Sequence, residues 1–149
     1  MRAVVQRTKH SRVSIAGSEI SSINHGLMVL LGIKQGDTAA DGNYLMDKIV
    51  NLRIFEDKNG KMNRSLQDVQ GEILMVSQFT LYGDVRKGRR PGFSTAELPE
   101  KAEPLFNYCV EYIRAQGIKI ETGVFGADMQ VDIENDGPCT ILVDSERAF

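Results

Sequence analysis

Apolar and polar residues alternate in short runs along most of this chain, and only two stretches change to helical spacing. Ala3, Val4 and Val5 give residues 1–7 a β-prone core. Residues 11–17, SRVSIAG, alternate and end at the turn signal Gly17-Ser18, so EISSI at 19–23 returns as a hairpin partner. GLMVLLGI at 26–33 is continuously apolar between glycines, the pattern of a strand covered on both faces. Tyr44, Leu45, Ile49 and Leu52 then fall on one helical stripe behind a capping Asp37-Thr38, which predicts a helix over 38–53.

A polar hairpin with Asn59-Gly60 at its tip follows at 55–63. Residues 71–84, GEILMVSQFTLYGD, form a strongly β-prone run, and 85–98 lack periodicity and read as a loop. Phe106, Val110 and Ile113, flanked by Ala102 and Cys109, predict a second helix that ends near Gly117. Pro104 is tolerated in a first turn but not in an interior, which places the helix start nearer 103 than 99. IKIETG, DMQVDIEN and TILVDS read as three closing strands, with the turn NDGPCT at 135–140 between the last two. The expected architecture is one α+β domain over residues 1–149. Two packed β-sheets carry both helices on one outer face, a three-layer β/β/α arrangement.

Length and composition fit that picture: 149 residues can bury a core without staples. The formal net charge is -2, so any nucleic-acid contact must come from a local patch. The two cysteines, Cys109 and Cys139, form no CxxC, and no histidine motif accompanies them. They read as small buried residues of a reduced, cytoplasmic protein, with no metal and no cofactor expected. MRAVVQRTKH is charged throughout and is no signal peptide, and GLMVLLGI is too short to span a membrane.

Two segments can carry chemistry. In SQFTLYGD, 77–84, a continued strand would put Gln78, Thr80 and Tyr82 on one face, with Ser77 and Phe79 on the other. The loop beyond it holds Arg86, Lys87, Arg89 and Arg90, which read either as a solvated loop or as a local anion site. Ser77 and Thr80 offer hydroxyls, but a hydroxyl is a weak nucleophile without a base. The only histidines are His10 and His25, and no carboxylate motif points at 77–80. From residue chemistry alone the reading ends at an α+β domain with a basic loop.

The order SQFTLYGD, RKGRRPGF and then FGADMQVDIENDGPCTILVDS resembles the D-aminoacyl-tRNA deacylase family over nearly the whole chain. MRAVVQR at the start and MNRSL at 62–66 add to the resemblance. It implies a homodimer that hydrolyses the ester between a D-amino acid and the 3′ end of tRNA, and also clears glycine from alanine tRNA. It implies an active site along Ser77, Gln78, Phe79 and Thr80. Gly137-Pro138 would enter the partner subunit's pocket as a cis dipeptide braced by Arg7. Phe125 and Met129 would line the terminal adenosine. Arg86, Lys87, Arg89 and Arg90 would meet acceptor-stem phosphates. No DNA and no membrane is expected as a partner.

The implied Gly-Pro selector has a physical rationale. Glycine lets backbone approach a ligand closely. Two carbonyls turned the same way by a cis bend can hold an α-ammonium group. An L side chain then collides with rigid backbone, while a D side chain points out, so selection works by rejecting the common isomer. Because no base accompanies Thr80, the expected route uses a backbone N–H near Phe79 as oxyanion donor and the tRNA 2′-hydroxyl to activate water, with a Thr80 acyl-enzyme as the alternative. The chain departs from the family pattern at Cys139, Gly92, the SSINHG turn and Pro104. The competing expectations are a relative that edits another mischarged tRNA and a nucleic-acid-binding dimer without turnover.

Overall fold

The computed structural model describes residues 1–149. The chain opens with β1 (Arg2–Ile15), β2 (Ser18–Ile23) and β3 (Gly26–Gly32), followed by α1 (Ala39–Asn51). A small ribbon of β4 (Phe55–Glu56) and β5 (Met62–Arg64) leads to β6 (Glu72–Ser77) and a 3-10 turn, Phe79–Tyr82. Then come α2 (Pro99–Arg114), β7 (Ile120–Thr122) and β8 (Gln130–Asp144). No helix is long and apolar enough to cross a membrane.

The expected pair of sheets is replaced by one six-stranded mixed sheet plus the β4-β5 ribbon. The reason is the length of β1. Its first half pairs with β3, its second half with β2, and β8 runs antiparallel along both. The two halves therefore stay in one sheet despite register shifts between Gln6 and His10. The single sheet has an apolar cluster on each side. Ala3, Val5, Leu27, Val29, Leu31, Ile73 and Met75 pack with Leu45, Met46 and Ile49 of α1 and with Phe106, Cys109, Val110 and Ile113 of α2. Met28, Leu74 and Val76 project oppositely from the same strands and pack against Val13, Ile23 and, at the margin, Met129, Val131 and Ile133. β3 is thus covered on both faces, as its unbroken apolar run predicts, and so is β6.

The helix over 38–53 forms with Thr38 as its N-cap, and Asp41 answers in a capping box. The second helix corrects its expectation. It starts at Pro99, a position where the missing N–H costs nothing, and carries Pro104 inside. Pro104 and Glu100 are both exposed, so water can satisfy the Glu100 carbonyl that has lost its partner. NDGPCT also corrects its expectation: it lies within β8 and separates no strands. Gln6 pairs with Thr140 and Thr8 with Asn135, so residues 136–139 loop out opposite Arg7. Buried Thr8 meets the disturbed ladder there, with Oγ1 2.6 Å from His10 O, 3.0 Å from Glu134 O and 2.8 Å from Ser11 Oγ.

Candidate active site

β6 runs parallel to β3 and delivers Ser77 to the end of the sheet, where Gln78 N–H donates to Leu31 O at 2.8 Å. The strand then stops. Phe79–Tyr82 form the 3-10 turn, so the alternation of faces expected for Gln78, Thr80 and Tyr82 does not occur. β-prone residues lose here to the turn closed by Leu81 N–H on Gln78 O and Gly83 N–H on Thr80 O, at 3.3 and 2.9 Å. The first N–H groups of such a turn, those of Phe79 and Thr80, have no partner inside it. A turn in this place leaves two backbone donors at the strand end without a backbone partner.

Phe79 is 55% exposed and stands edge-on to Phe93 at 5.0 Å between ring centroids. Gln78 Nε2 donates to Thr80 Oγ1. The only side chain bonded to that hydroxyl is therefore an amide, which cannot take its proton. His25 lies elsewhere, edge-on to Phe55 at 5.1 Å. A cleft of about 470 Å³ joins Ser77, Gln78 and Phe79 to Phe125 and Met129 across the start of α2. Gly123 makes room for Met129, because a Cβ there would lie 2.5 Å from its Sδ. Two carboxylates, Glu97 and Asp128, also line the cleft. Sequence reasoning missed both, since each stands alone in a loop and no spacing marks it.

The basic loop follows the turn directly. A two-way backbone pairing of Asp84 and Gly92, at 2.8 and 2.9 Å, pins its base. Asp84 grips Arg86 at both oxygens, Oδ1 to Nε at 2.9 Å and Oδ2 to Nη2 at 2.7 Å. These bonds, with the Arg86 backbone N–H, hold the Asp84 carboxyl down at about 2. Lys87, Arg89 and Arg90 are exposed and make no ion pair.

The remaining expected residues gather in a second place. The Gly137-Pro138 peptide is cis, and both residues are exposed. Arg7 lies behind them and is 4% exposed. Its Nη1 donates to Ile54 O at 2.6 Å and its Nε to Asp136 O at 3.2 Å, with Asp136 Oδ2 at 3.4 Å. Asn135 braces the other side: its Oδ1 accepts Cys139 N–H at 3.0 Å and its Nδ2 donates to Thr140 Oγ1 at 3.1 Å. Gly137 has φ +129°, a conformation that L side chains rarely adopt, and a Cβ would sit 3.0 Å from Arg7 Nη2. Cys139 points inward and is buried, as packing predicts for it.

One chain does not bring the two places together. Ser77 pairs with Leu31, which pairs with Ala3, whereas the loop lies opposite Arg7 and on β8, beyond β1. Standard strand spacing and rise put the two about 20 Å apart.

Known proteins resemble this chain in sequence and fold. A D-aminoacyl-tRNA deacylase from Syntrophomonas wolfei is 66% identical over 149 residues, with both chains covered completely. One from Desulfitobacterium hafniense is 58% identical, again over the full length of both. A solved structure described as a c-Myc DNA unwinding element binding protein superposes with a TM-score of 0.92 at 46% identity, covering 97% of this chain and 98% of that one. A structure of a probable eukaryotic D-amino acid tRNA deacylase shares the fold, with a TM-score of 0.81 at 18% identity over 96% and 98% of the two chains. The family model for D-Tyr-tRNA(Tyr) deacylase matches residues 4–144, and the chain belongs to that family.

Proposed function

We propose that the protein hydrolyses the ester bond of D-aminoacyl-tRNA, releasing the D-amino acid and free tRNA. Membership of the family makes it an enzyme, a hydrolase of the D-aminoacyl-tRNA deacylase kind. The reading in detail is that the cleft beside Ser77, Gln78 and Phe79 takes the 3′ terminus of the tRNA, with Phe125 and Met129 against the adenosine. The ester carbonyl accepts from the free N–H groups of Phe79 and Thr80, where charge develops as water adds. The vicinal 2′-hydroxyl of the substrate activates that water. Thr80 supplies no nucleophile, because the only side chain on its hydroxyl is the Gln78 amide.

The observation that carries the reading is the separation of two exposed, prepared surfaces. A backbone selector held by Arg7 and Asn135 faces solvent, and the cleft that needs it is about 20 Å away by strand spacing. A second copy related by a two-fold axis would place each selector in the other's cleft, which is an isologous contact. The homodimer therefore completes the site. Rejection by backbone does not depend on the side chain of the D-amino acid, so glycine, which has none, passes as well. Glycyl-tRNA carrying the alanine anticodon is thus a second substrate. Lys87, Arg89 and Arg90 meet acceptor-stem phosphates.

Paired deacylation of D-tyrosyl-tRNA and L-tyrosyl-tRNA tests the proposal. Rapid loss of the D ester with the L ester intact is expected. Equal rates on both would remove the selector, and no turnover of either would remove the activity. A second reading, nucleic-acid binding without turnover, draws on the printed description of the 46%-identical structure and on the free cations of the loop. Retarded tRNA or DNA in a gel, with no ester loss, would favour it.

A further inference from the structure

Arg2 and Gly32 stand opposite each other on β1 and β3, and both touch the turn that carries Phe79 and Thr80. Arg2 Nη1 donates to Leu81 O at 3.1 Å, while Nε donates to Asp144 Oδ2 at 3.0 Å. The Asp144 carboxylate is completely buried, so a fixed anion aims the guanidinium. The same guanidinium lies 4.8 Å from the centre of the Tyr82 ring. Arg2 thus holds the turn by one carbonyl and one aromatic face.

Gly32 acts by leaving space. A Cβ there would lie 3.0 Å from Gln78 O, 3.1 Å from Leu81 Cβ and 3.3 Å from Tyr82 Cδ2. Ordinary contact begins at 3.4 Å, so alanine would push the turn outward by a few tenths of an ångström. β3 is paired on both sides and cannot retreat, which leaves the turn to move.

We propose that Arg2 and Gly32 together form the seat that sets the height and tilt of the 79–82 turn, making Arg2 a positioning residue and Gly32 an obligatory gap for the deacylation. The proposal rests on the reading that the N–H groups of this turn bind the ester carbonyl. Oxyanion donors act over a narrow distance range, and small displacements of positioned groups cost large factors in rate. The Leu81 carbonyl, held by Arg2 Nη1, and a strand without a side chain beneath the turn fix the same body from two directions.

The test compares Arg2→Ala, Arg2→Lys, Gly32→Ala and the double variant Arg2→Ala/Gly32→Ala with the wild type. Steady-state and single-turnover deacylation of D-tyrosyl-tRNA are measured well below each thermal midpoint. Each alanine variant should lose about 10- to 100-fold in kcat with KM changed less than about twofold. Arg2→Lys should recover part of the loss, and the double variant should fall short of the product of the singles, because both act on one turn. A lowered thermal midpoint with unchanged kcat, or a raised KM at constant kcat, would overturn the proposal. If the wild type itself gives no turnover, the functional reading fails separately. The seat is then read from the backbone amide resonances of Phe79 and Thr80. They shift in Arg2→Ala and Gly32→Ala if the seat exists, and stay in place if it does not.

Discussion

Replacing Arg7 by lysine keeps a cation behind the Gly137-Pro138 loop and removes only the fork. Arg7 reaches Ile54 O through Nη1 at 2.6 Å and Asp136 O through Nε at 3.2 Å, two carbonyls on different segments. A lysine ammonium is a single point on a flexible stem and cannot hold both in those directions. One charge-assisted bond inside the protein is lost, at a cost of about 2 kcal/mol. Arg7 is 4% exposed, so solvent does not refill the gap freely. For a domain of this size that is a fall of about 4–8 °C in thermal midpoint. The larger effect should fall on selection. With one brace gone, the loop moves relative to Ile54, and on the proposed reading the backbone wall against an L side chain loses its fixed position. The ratio of kcat/KM for D-tyrosyl-tRNA over L-tyrosyl-tRNA should drop by about tenfold or more. The assay is deacylation of both esters by the same preparation, together with a melt. An Arg7→Lys protein that melts within a degree of the wild type and discriminates equally well would refute the brace.

Thr80→Ala should retain activity within about tenfold, since the hydroxyl only tethers Gln78; a trapped acyl-Thr80 ester would contradict this. Arg89→Ala with Arg90→Ala should raise KM for tRNA and flatten its salt dependence, whereas Arg86→Ala should do less because Asp84 already holds that side chain. The Asp84 carboxyl, held at about 2 by Arg86, should titrate there by NMR. Its folded pKa lies below the ordinary value, so the pair contributes above about pH 4 and is lost as pH falls towards 2; in Arg86→Ala the midpoint should climb back towards 3.8. The Cys109 thiol, buried and pushed up to about 12, should resist alkylation at pH 8 in the folded protein and react once it is unfolded.

Where a local rule and the tertiary structure agreed, the sequence was readable. α1 follows from one apolar stripe and one cap, and GLMVLLGI from its unbroken burial. The misreadings have specific causes. β-prone residues continue past Ser77 and predict a strand through Gln78, Thr80 and Tyr82, but a tight turn overrides propensity when two backbone bonds close it. Pro104 was expected to delay α2, yet its exposed position lets water replace the lost bond. NDGPCT carries the signature of a strand-ending turn, and only the pairing of β8 with β1 on both flanks shows it to be an interruption. Family resemblance pointed to residues 77–80 and 137–138, while Glu97, Asp128, Gly32 and Arg2 needed three-dimensional neighbours to become visible.

The looped-out segment within β8 has a consequence for how the enzyme can change over evolutionary time. A specificity loop at a sheet's margin tolerates insertions and deletions, and families commonly diversify that way. This one is threaded between Asn135 and Thr140, both locked in register with β1. Adding or deleting a residue in the flanking strand would send alternate side chains to the wrong face along a ladder that runs through the core. Length variation is therefore closed to the strand on either side, and change is confined to residues 136–139 between two fixed anchors. On the proposed reading, a selector that works through backbone alone has little to gain from side-chain substitution there. The architecture therefore favours a narrow, durable specificity over a versatile one.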